Sequence, residues 1–468
     1  MKEASLIKVS WLTLVILASM ASQASIRASP HGELPLTISV PADYSSIQAA
    51  IDNASPGDTV FVSAGLYYER VTVDKTITLE GDGVETVIDG SNMGTIIKVT
   101  ADNVKVTGFK LQNTGWKWGR AGVEIYHADN CVVESNLVYL TCHQIRLNGS
   151  RGSRVIANVV SAPANPFPQS AYGIRLENCT DCLIIDNSVS NNIGGIHLEG
   201  STNCTVKRNS FFQNSQGIRL YSPCANNRIV GNTVFNNTND GMLVALPNNT
   251  TFVQNVFFHN NFVNNSQPFI GEIAGCAWDD GSEGNYWTAY QGQDNDQDGI
   301  GDTPYSFGDE QDRHPLMGKY YEYEVSHQGA VYEVELICSF AVLDFLYEER
   351  SSSNSTAMIL DISSGDERPL FCRVSFPTEL LGQPYSVEVD GSPESDTILN
   401  TLPESNSTRT ILYLTHPSLV HTVTLLGAAG AENESPLVLY LTVSAAILSV
   451  LAIAALTLFW RGRRKHAR

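Results

Sequence analysis

The sequence predicts an all-β protein whose main body is a right-handed parallel β-helix solenoid, and three observations carry that prediction. The first is self-similarity. One unit begins Gly122-Val123-Glu124-Ile125 and runs through Asn130-Cys131-Val132-Val133 to Ser135-Asn136-Leu137-Val138, and similar units begin at Gly173, Gly195 and Gly217. Asn136, Asn158, Asn187, Asn209 and Asn232 are equivalent, at spacings of 22, 29, 22 and 23, the long step holding a Pro- and Ala-rich insertion at 161–170. A fixed period of this size means stacked repeats. The second is that each unit consists of short alternating runs broken by Asn and Gly, which is the chemistry of strands and turns. The third is the way the repeats begin. Ser45-x-x-Gln48 reads as a capping box, and Ile47, Ala50, Ile51 and Ala54 fall on one helical face before Pro56-Gly57-Asp58 ends it. A helical cap there covers the open edges of the first rung.

The remaining elements follow in chain order. Lys2 and Lys8, an apolar run from Trp11 to Ala18 and the small residues up to Ser22-Gln23-Ala24 read as a signal peptide over 1–24. The β-helix domain is expected over 37–317, with repeats to about 266. Its recurrent Asn fits a bend where the side chain bonds to the next rung and where left-handed backbone is tolerated. Most of the nine cysteines recur at one repeat position, as an internal ladder of small apolar side chains. Cys338 and Cys372 lie beyond the repeats and suit an exported disulfide. Alternating runs such as Tyr332–Ile337, Cys372–Phe376, Tyr385–Val389 and Thr410–Leu414 predict a small β-sandwich over 320–427, then a linker at 428–436. Leu437–Trp460 carries no charge and is long enough for a transmembrane helix. Arg461, Arg463, Arg464, Lys465 and Arg468 make a basic tail, 461–468, which belongs in the cytoplasm. The bulk of the chain is therefore expected outside the cell, where sequons such as Asn53, Asn148, Asn178, Asn203, Asn236, Asn354 and Asn406 are potential glycosylation acceptors. A net charge of −20 over 468 residues argues against a nucleic-acid partner, which needs a dense Lys/Arg footprint.

Near the end of the solenoid, Asp294, Asp296 and Asp298 stand two apart and are followed by Gly299. Alternate oxygens of this kind converge on one hard cation, as at the start of an EF-hand loop. The Ile300 carbonyl and Asp302 extend the pattern, but Tyr305 stands where the bidentate Glu belongs, leaving Asp309, Glu310 or Asp312 to complete the set. Calcium in a structural role is the expectation.

Val40-Pro-Ala-Asp-Tyr-Ser-Ser-Ile-Gln-Ala-Ala-Ile51, Pro56-Gly-Asp-Thr-Val60, Gly65-Leu-Tyr-Tyr-Glu69 and Lys75-Thr-Ile-Thr-Leu-Glu-Gly81 resemble the opening of NosD-type β-helix proteins, and pectin-modifying β-helix enzymes open similarly. His259-Asn-Asn-Phe-Val-Asn-Asn265, Gly284-Asn-Tyr-Trp287 and Asp298-Gly-Ile-Gly-Asp-Thr-Pro-Tyr305 resemble the end of the solenoid in archaeal members. The resemblance covers about 37–317. It implies a pectin lyase-like fold, which hosts many functions. It also implies copper, because NosD proteins are associated with copper-site assembly in nitrous oxide reductase. Copper(I) selects clustered Cys or Met and copper(II) selects His. The six Met and ten His form no ladder in the repeats, so copper is not expected here.

Alternation places function on one outer face. In Gly-Ile-Arg-Leu the Ile and Leu point inward, so Glu124, Arg146, Arg175, His197 and Arg219 stack outward. Two residues on come Tyr126, Asn148, Glu177, Glu199 and Tyr221, with Trp116 and Trp118 in the loop before the first strand. Aromatic rings beside Arg and carboxylates suit an extended sugar chain. The reading adopted is a surface-anchored protein that binds a polysaccharide or cell-envelope glycan. A second reading is a polysaccharide lyase, glycoside hydrolase or epimerase. It would use Glu177 and Glu199 as paired carboxylates, His197 as base and Arg175 as charge stabiliser, although the Asp-Asp and Gly-His-Gly pattern of polygalacturonases is missing. A third is a structural envelope protein whose Arg/Glu ladder only solvates and pins the sheet.

Overall fold

The computed structural model describes residues 34–162, 172–221, 223–245, 254–270, 275–350, 355–363, 370–393, 397–417 and 420–428. The signal segment, the linker from 429, the membrane segment, the basic tail and most of the 161–170 insertion lie outside the described residues. Among the described residues no helix is long and apolar enough to cross a membrane. Two compact units divide the chain, Met1–Leu36 and Thr37–Arg468. All of the described strands and helices lie in the second.

Short strands coil into three parallel sheets of ten, nine and ten strands. The first runs from Thr37–Val40 to Val256–Phe258, the second from Val71–Val73 to Gln267–Ile270, and the third from Gly65–Tyr67 to Tyr286–Trp287. The coil thus continues past 266, the end expected from the repeats, because its last strand is two residues long and hidden among turns. Parallel in-register pairing stacks like on like. Val106, Val133, Val155, Ile184, Val206 and Ile229 form one continuous inward column of the first sheet, all of them buried. A column of this kind lets each added rung bury apolar surface against the one before.

The corners are held by asparagine. Asn136, Asn158, Asn187, Asn209, Asn232, Asn260 and Asn285 form a buried ladder in which each Oδ1 accepts the backbone N–H and the Nδ2–H of the Asn before it. Asn192, Asn214, Asn237 and Asn265 make a second ladder, and Asn227 and Asn255 belong to a third. The left-handed residue is not the ladder Asn but the one before it: Ser135, Ala157, Asp186, Arg208 and His259 all have φ between 52° and 58°. The ladder Asn is buried, with its amide bonded to the neighbouring rungs. Cys131, Ser153, Cys182 and Cys204 precede Asn227 in register at the corner of the third ladder, buried, with thiols donating to backbone carbonyls such as Ser150 O and Thr202 O.

A helix, Ile47–Asn53, buries Ile47, Ala50 and Ile51 beside the first strands. Its N-cap is Ser46, one residue later than the expected Ser45, with Ala49 N–H donating to Ser46 Oγ at 3.2 Å. Gln48 is then too early in the helix to reach back. Glu69, arriving from the first coil, instead accepts Ile47 N–H and Gln48 N–H at 3.0 and 3.2 Å, and Gln48 pairs with the Thr72 backbone. At the other end the hairpin Tyr305–Phe307/Glu310–Asp312 lays Phe307 on Trp278 and Trp287.

After the coil come two five-stranded antiparallel sheets with a shared apolar core that includes Val334, Leu336, Met358, Val374 and Leu414. Cys338 and Cys372 are paired in register and disulfide-bonded. The sheets dock on the solenoid through charge. Lys207 and Arg208 reach Glu322 at 2.8 Å each, and Glu283 accepts from Arg373 at 2.8 Å and pairs with His259 at 2.7 Å.

Six strands of the second sheet carry the candidate site: β1 (Ala121–Tyr126), β2 (His143–Asn148), β3 (Tyr172–Glu177), β4 (Gly194–Glu199), β5 (Gln216–Tyr221) and β6 (Asp240–Ala245).

Candidate functional site

The register of β1 to β5 keeps every outward column in phase. Glu124, Arg146, Arg175, His197 and Arg219 are successive partners, and so are Tyr126, Asn148, Glu177, Glu199 and Tyr221. A third column was not anticipated: His143, Tyr172, Gly194, Gln216 and Asp240. Strict alternation from the inward Ile174 would turn Tyr172 inward, but pairing skips Gly173 and Gly195. A Cβ on Gly195 would press on Phe211 in the interior, so the glycine takes the inward place and frees the residue before it to face out. The signal was in the sequence as a glycine second in each of these strands except β2, which has Gln144. Gly194 itself has no room for a side chain, because the Tyr172 ring lies over it.

Salt bridges tie the first two columns together. Arg146 reaches Glu124 at 2.9 Å and Glu177 at 2.5 Å, while Arg175 Nη2 reaches Glu177 at 2.5 Å and Glu199 at 2.9 Å. Glu177 and Glu199, the expected carboxylate pair, therefore share one guanidinium. Trp118 stands at the outside, 55% exposed, over the Arg175 guanidinium at 4.7 Å and edge-on to His143 and Tyr172 at 4.8 and 6.2 Å. Trp116 is half-buried in the same loop. Tyr172 meets His197 at 4.6 Å and accepts a hydrogen bond from Arg219 at 2.8 Å. Tyr221 flanks His197, and Tyr126 carries Lys98 on its face at 4.5 Å.

The strip is not the solvated face that alternation alone suggests. Arg175 is 6% exposed, His197 4% and His143 0%, because the Tyr172 and Trp118 rings lie across them. Burial without partners is what marks it. Both ring nitrogens of His143 and His197, Arg175 Nε and Nη1, Arg219 Nε and Gln216 Oε1 are buried without a hydrogen-bond partner. Such groups are rare in finished cores, and they gather here. Burial first, then the charges of Arg175 and Arg146, push His143 down to about 3. Burial, Arg175 and Arg219 do the same to His197. Both imidazoles are neutral at physiological pH, each with one donor and one acceptor.

The acidic loop brings Asp294, Asp296 and Asp298 within one ligand sphere. Asp302 is turned to Asn295, whose N–H and Nδ2–H it accepts at 2.8 and 2.6 Å, and Ile300 N–H donates to Asp298. Burial, then the neighbouring Asp296 and Asp294, push Asp298 up to about 6. Tyr413 and Arg373 of the sandwich face the loop, Tyr413 Oη at 3.4 Å from Asp294.

These features define a class, the parallel β-helix proteins, with a polar, aromatic-lined strip along one sheet. The chain belongs to the family described as periplasmic copper-binding protein (NosD), whose profile matches residues 51–292. It is also similar to a cell surface glycoprotein of Methanothermus fervidus, 28% identical over 97 residues, which span 20% of this chain and 16% of that protein. Among solved structures, the periplasmic alginate epimerase AlgG is matched over 47% of this chain and 59% of that one at 14% identity and a TM-score of 0.39. A family 28 exopolygalacturonase of Yersinia enterocolitica is matched over 55% and 70%, at 11% identity and 0.40.

The family name implies copper, and the donors among the described residues do not fit it. The one close group of three ligating side chains is the aspartate trio, a hard all-oxygen set, whereas copper favours thiolate, thioether or imidazole. The interior thiols Cys179, Cys182 and Cys204 hydrogen-bond to backbone carbonyls in a sealed core.

Proposed function

We propose that this protein acts at the cell surface and binds a carbohydrate polymer along the outer strip of β1 to β5. One observation carries the reading: buried, unpartnered hydrogen-bonding groups of Arg175, His143, His197 and Arg219 lie beside the stacking rings of Trp118 and Tyr172. A sugar offers ring faces to the aromatics and hydroxyls to the polar groups. Neutral imidazoles suit hydroxyls, since each can give and take a proton in hydrogen bonding. The columns stay in phase over five rungs, about 19 Å at the usual strand spacing, so the polymer runs along the solenoid axis. Binding is favoured over cleavage because Glu177 and Glu199 are both engaged by Arg175, which leaves neither poised as an acid. The family and the glycoprotein relative support an envelope location. Leu437–Trp460, as a membrane anchor, would hold the solenoid outside the cell, with the β-sandwich between the two.

A glycan array probed with the full-length protein tests this. Binding lost in Trp118→Ala is the expected result, with no new reducing ends or unsaturated products. Failure to bind any glycan rejects the reading in favour of a structural role, and product formation replaces it with an enzyme. We also assign calcium to the aspartate trio, as a structural staple between loop and sandwich. Titration calorimetry should show uptake that is lost in Asp296→Ala; equal uptake by the variant sinks the assignment.

A further inference from the structure

The unmet hydrogen-bonding capacity of the strip is lopsided. Glu124, Glu177 and Glu199 already accept from Arg146 and Arg175, so the acidic side of the ladder is largely spent. The charged groups left over are all cationic N–H, namely Arg175 Nε and Nη1 and Arg219 Nε, beside the neutral ring nitrogens of His143 and His197 and Gln216 Oε1. Arg219 has only the neutral Tyr172 hydroxyl as a polar partner in its pairings, and it stands two rungs from Arg175 in the same column. An unpaired buried N–H is costly, more so when it is charged, so these arginines ask for an acceptor-only group. Between the two arginines sits His197, and beyond Arg175 sits His143. Burial first, and then the charges of the neighbouring arginines, hold both imidazoles neutral, and those arginines make a locally positive spot on a chain of net charge −20. On so acidic a protein, indiscriminate attraction of polyanions is weak, and a positive spot must be built locally.

Resting on the carbohydrate-binding reading, we propose that the ligand is an acidic glycan whose carboxylate or sulfate seats against Arg175 and Arg219 beneath Trp118 and Tyr172. Charge-assisted bonds from guanidinium to such an anion are the strong ones, and they complete the donors that the glutamates leave over. The neighbouring His143, His197 and Gln216 then read the adjacent hydroxyls.

Matched pairs of probes test the charge alone. The full-length protein is measured against polygalacturonate and its methyl ester, alginate and its carboxyl-reduced form, and dextran sulfate and dextran. At low salt the acidic member of at least one pair should bind about tenfold or more tightly than its neutral partner. A preference confined to dextran sulfate identifies the anion as a sulfate ester, and one confined to the uronates identifies a carboxylate. Arg219→Gln should erase the preference for the acidic member without lowering the melting temperature, and Arg219→Lys should restore part of it. Equal binding of acidic and neutral partners overturns the acidic inference and leaves the carbohydrate reading standing. Binding to no member of any pair overturns both.

Discussion

Arg175 carries more of the site than any other side chain. It joins Glu177 to Glu199, lies beneath Trp118 and keeps two nitrogens in reserve. Replacing it with Met takes one cation from Glu177, which keeps Arg146, and the cation from the partly exposed Glu199, a loss of about 1–3 kcal/mol. Urea unfolding should report that loss, whereas Arg219→Gln should cost little. The histidines make a second prediction. With pKa values near 3 in the fold against 6.5 in the unfolded chain, His143 and His197 oppose folding as pH falls from about 6.5 toward 3, because only the unfolded chain takes up the proton. Nitrogen chemical shifts should show both rings neutral at pH 5, and His143→Gln should flatten the acid side of the stability curve. The outward places of Arg175 and His197 were legible from alternation. Their burial was not, because it depends on a loop ring and on Tyr172, whose outward turn follows from the glycine beside it rather than from a two-residue period.

At the scale of elements, the asparagine ladder shows how an endless motif is ended. Its last acceptor is a carboxylate: Asp312 Oδ2 takes the Asn285 N–H at 2.8 Å and also accepts from Trp287 Nε1 at 2.8 Å. Burial pushes Asp312 up to about 6. A folded value above the unfolded one means that the stability it adds is complete below about 4 and is lost as pH rises through 6. Asp312→Asn keeps an accepting oxygen and should remove that pH dependence with little loss of melting temperature. Asn209→Ala should be worse, by about 1–3 kcal/mol, since it strands the Asn187 backbone N–H in the core, while Asn187 Nδ2 keeps Val155 O and Ile185 O. The repeat itself announced the ladder, because Asn at a fixed spacing survives every change around it. The end of the ladder was invisible, since Asp312 sits 27 residues from its partner in a hairpin without repeat character. The acidic loop was half legible. Three aspartates converge as their spacing suggests, and Asp302 turns away to Asn295, a choice made by local hydrogen bonding that spacing does not encode.

Across the molecule, the solenoid and the sandwich are joined by ion pairs and by a buried apolar cluster of Leu316, Tyr320 and Ile337. Glu283, between His259 and Arg373, is held down to about 2 by those partners against the upward push of burial. Its contribution is therefore present above about 4.5 and is lost as pH falls toward 2. Calorimetry should show one transition at neutral pH that splits as the medium is acidified, and Glu283→Gln should split it at neutral pH. A single transition for the variant would show that Lys207 and Arg208, through Glu322, suffice to hold the parts together.

The in-phase register has a consequence for inheritance. A duplication or loss of one 22-residue unit, such as the step from Gly195 to Gly217, changes the strip by one strand spacing, about 4.8 Å, and moves no column out of line. Lineages of this protein can therefore lengthen or shorten the strip in whole increments, while the outward side chains are selected separately.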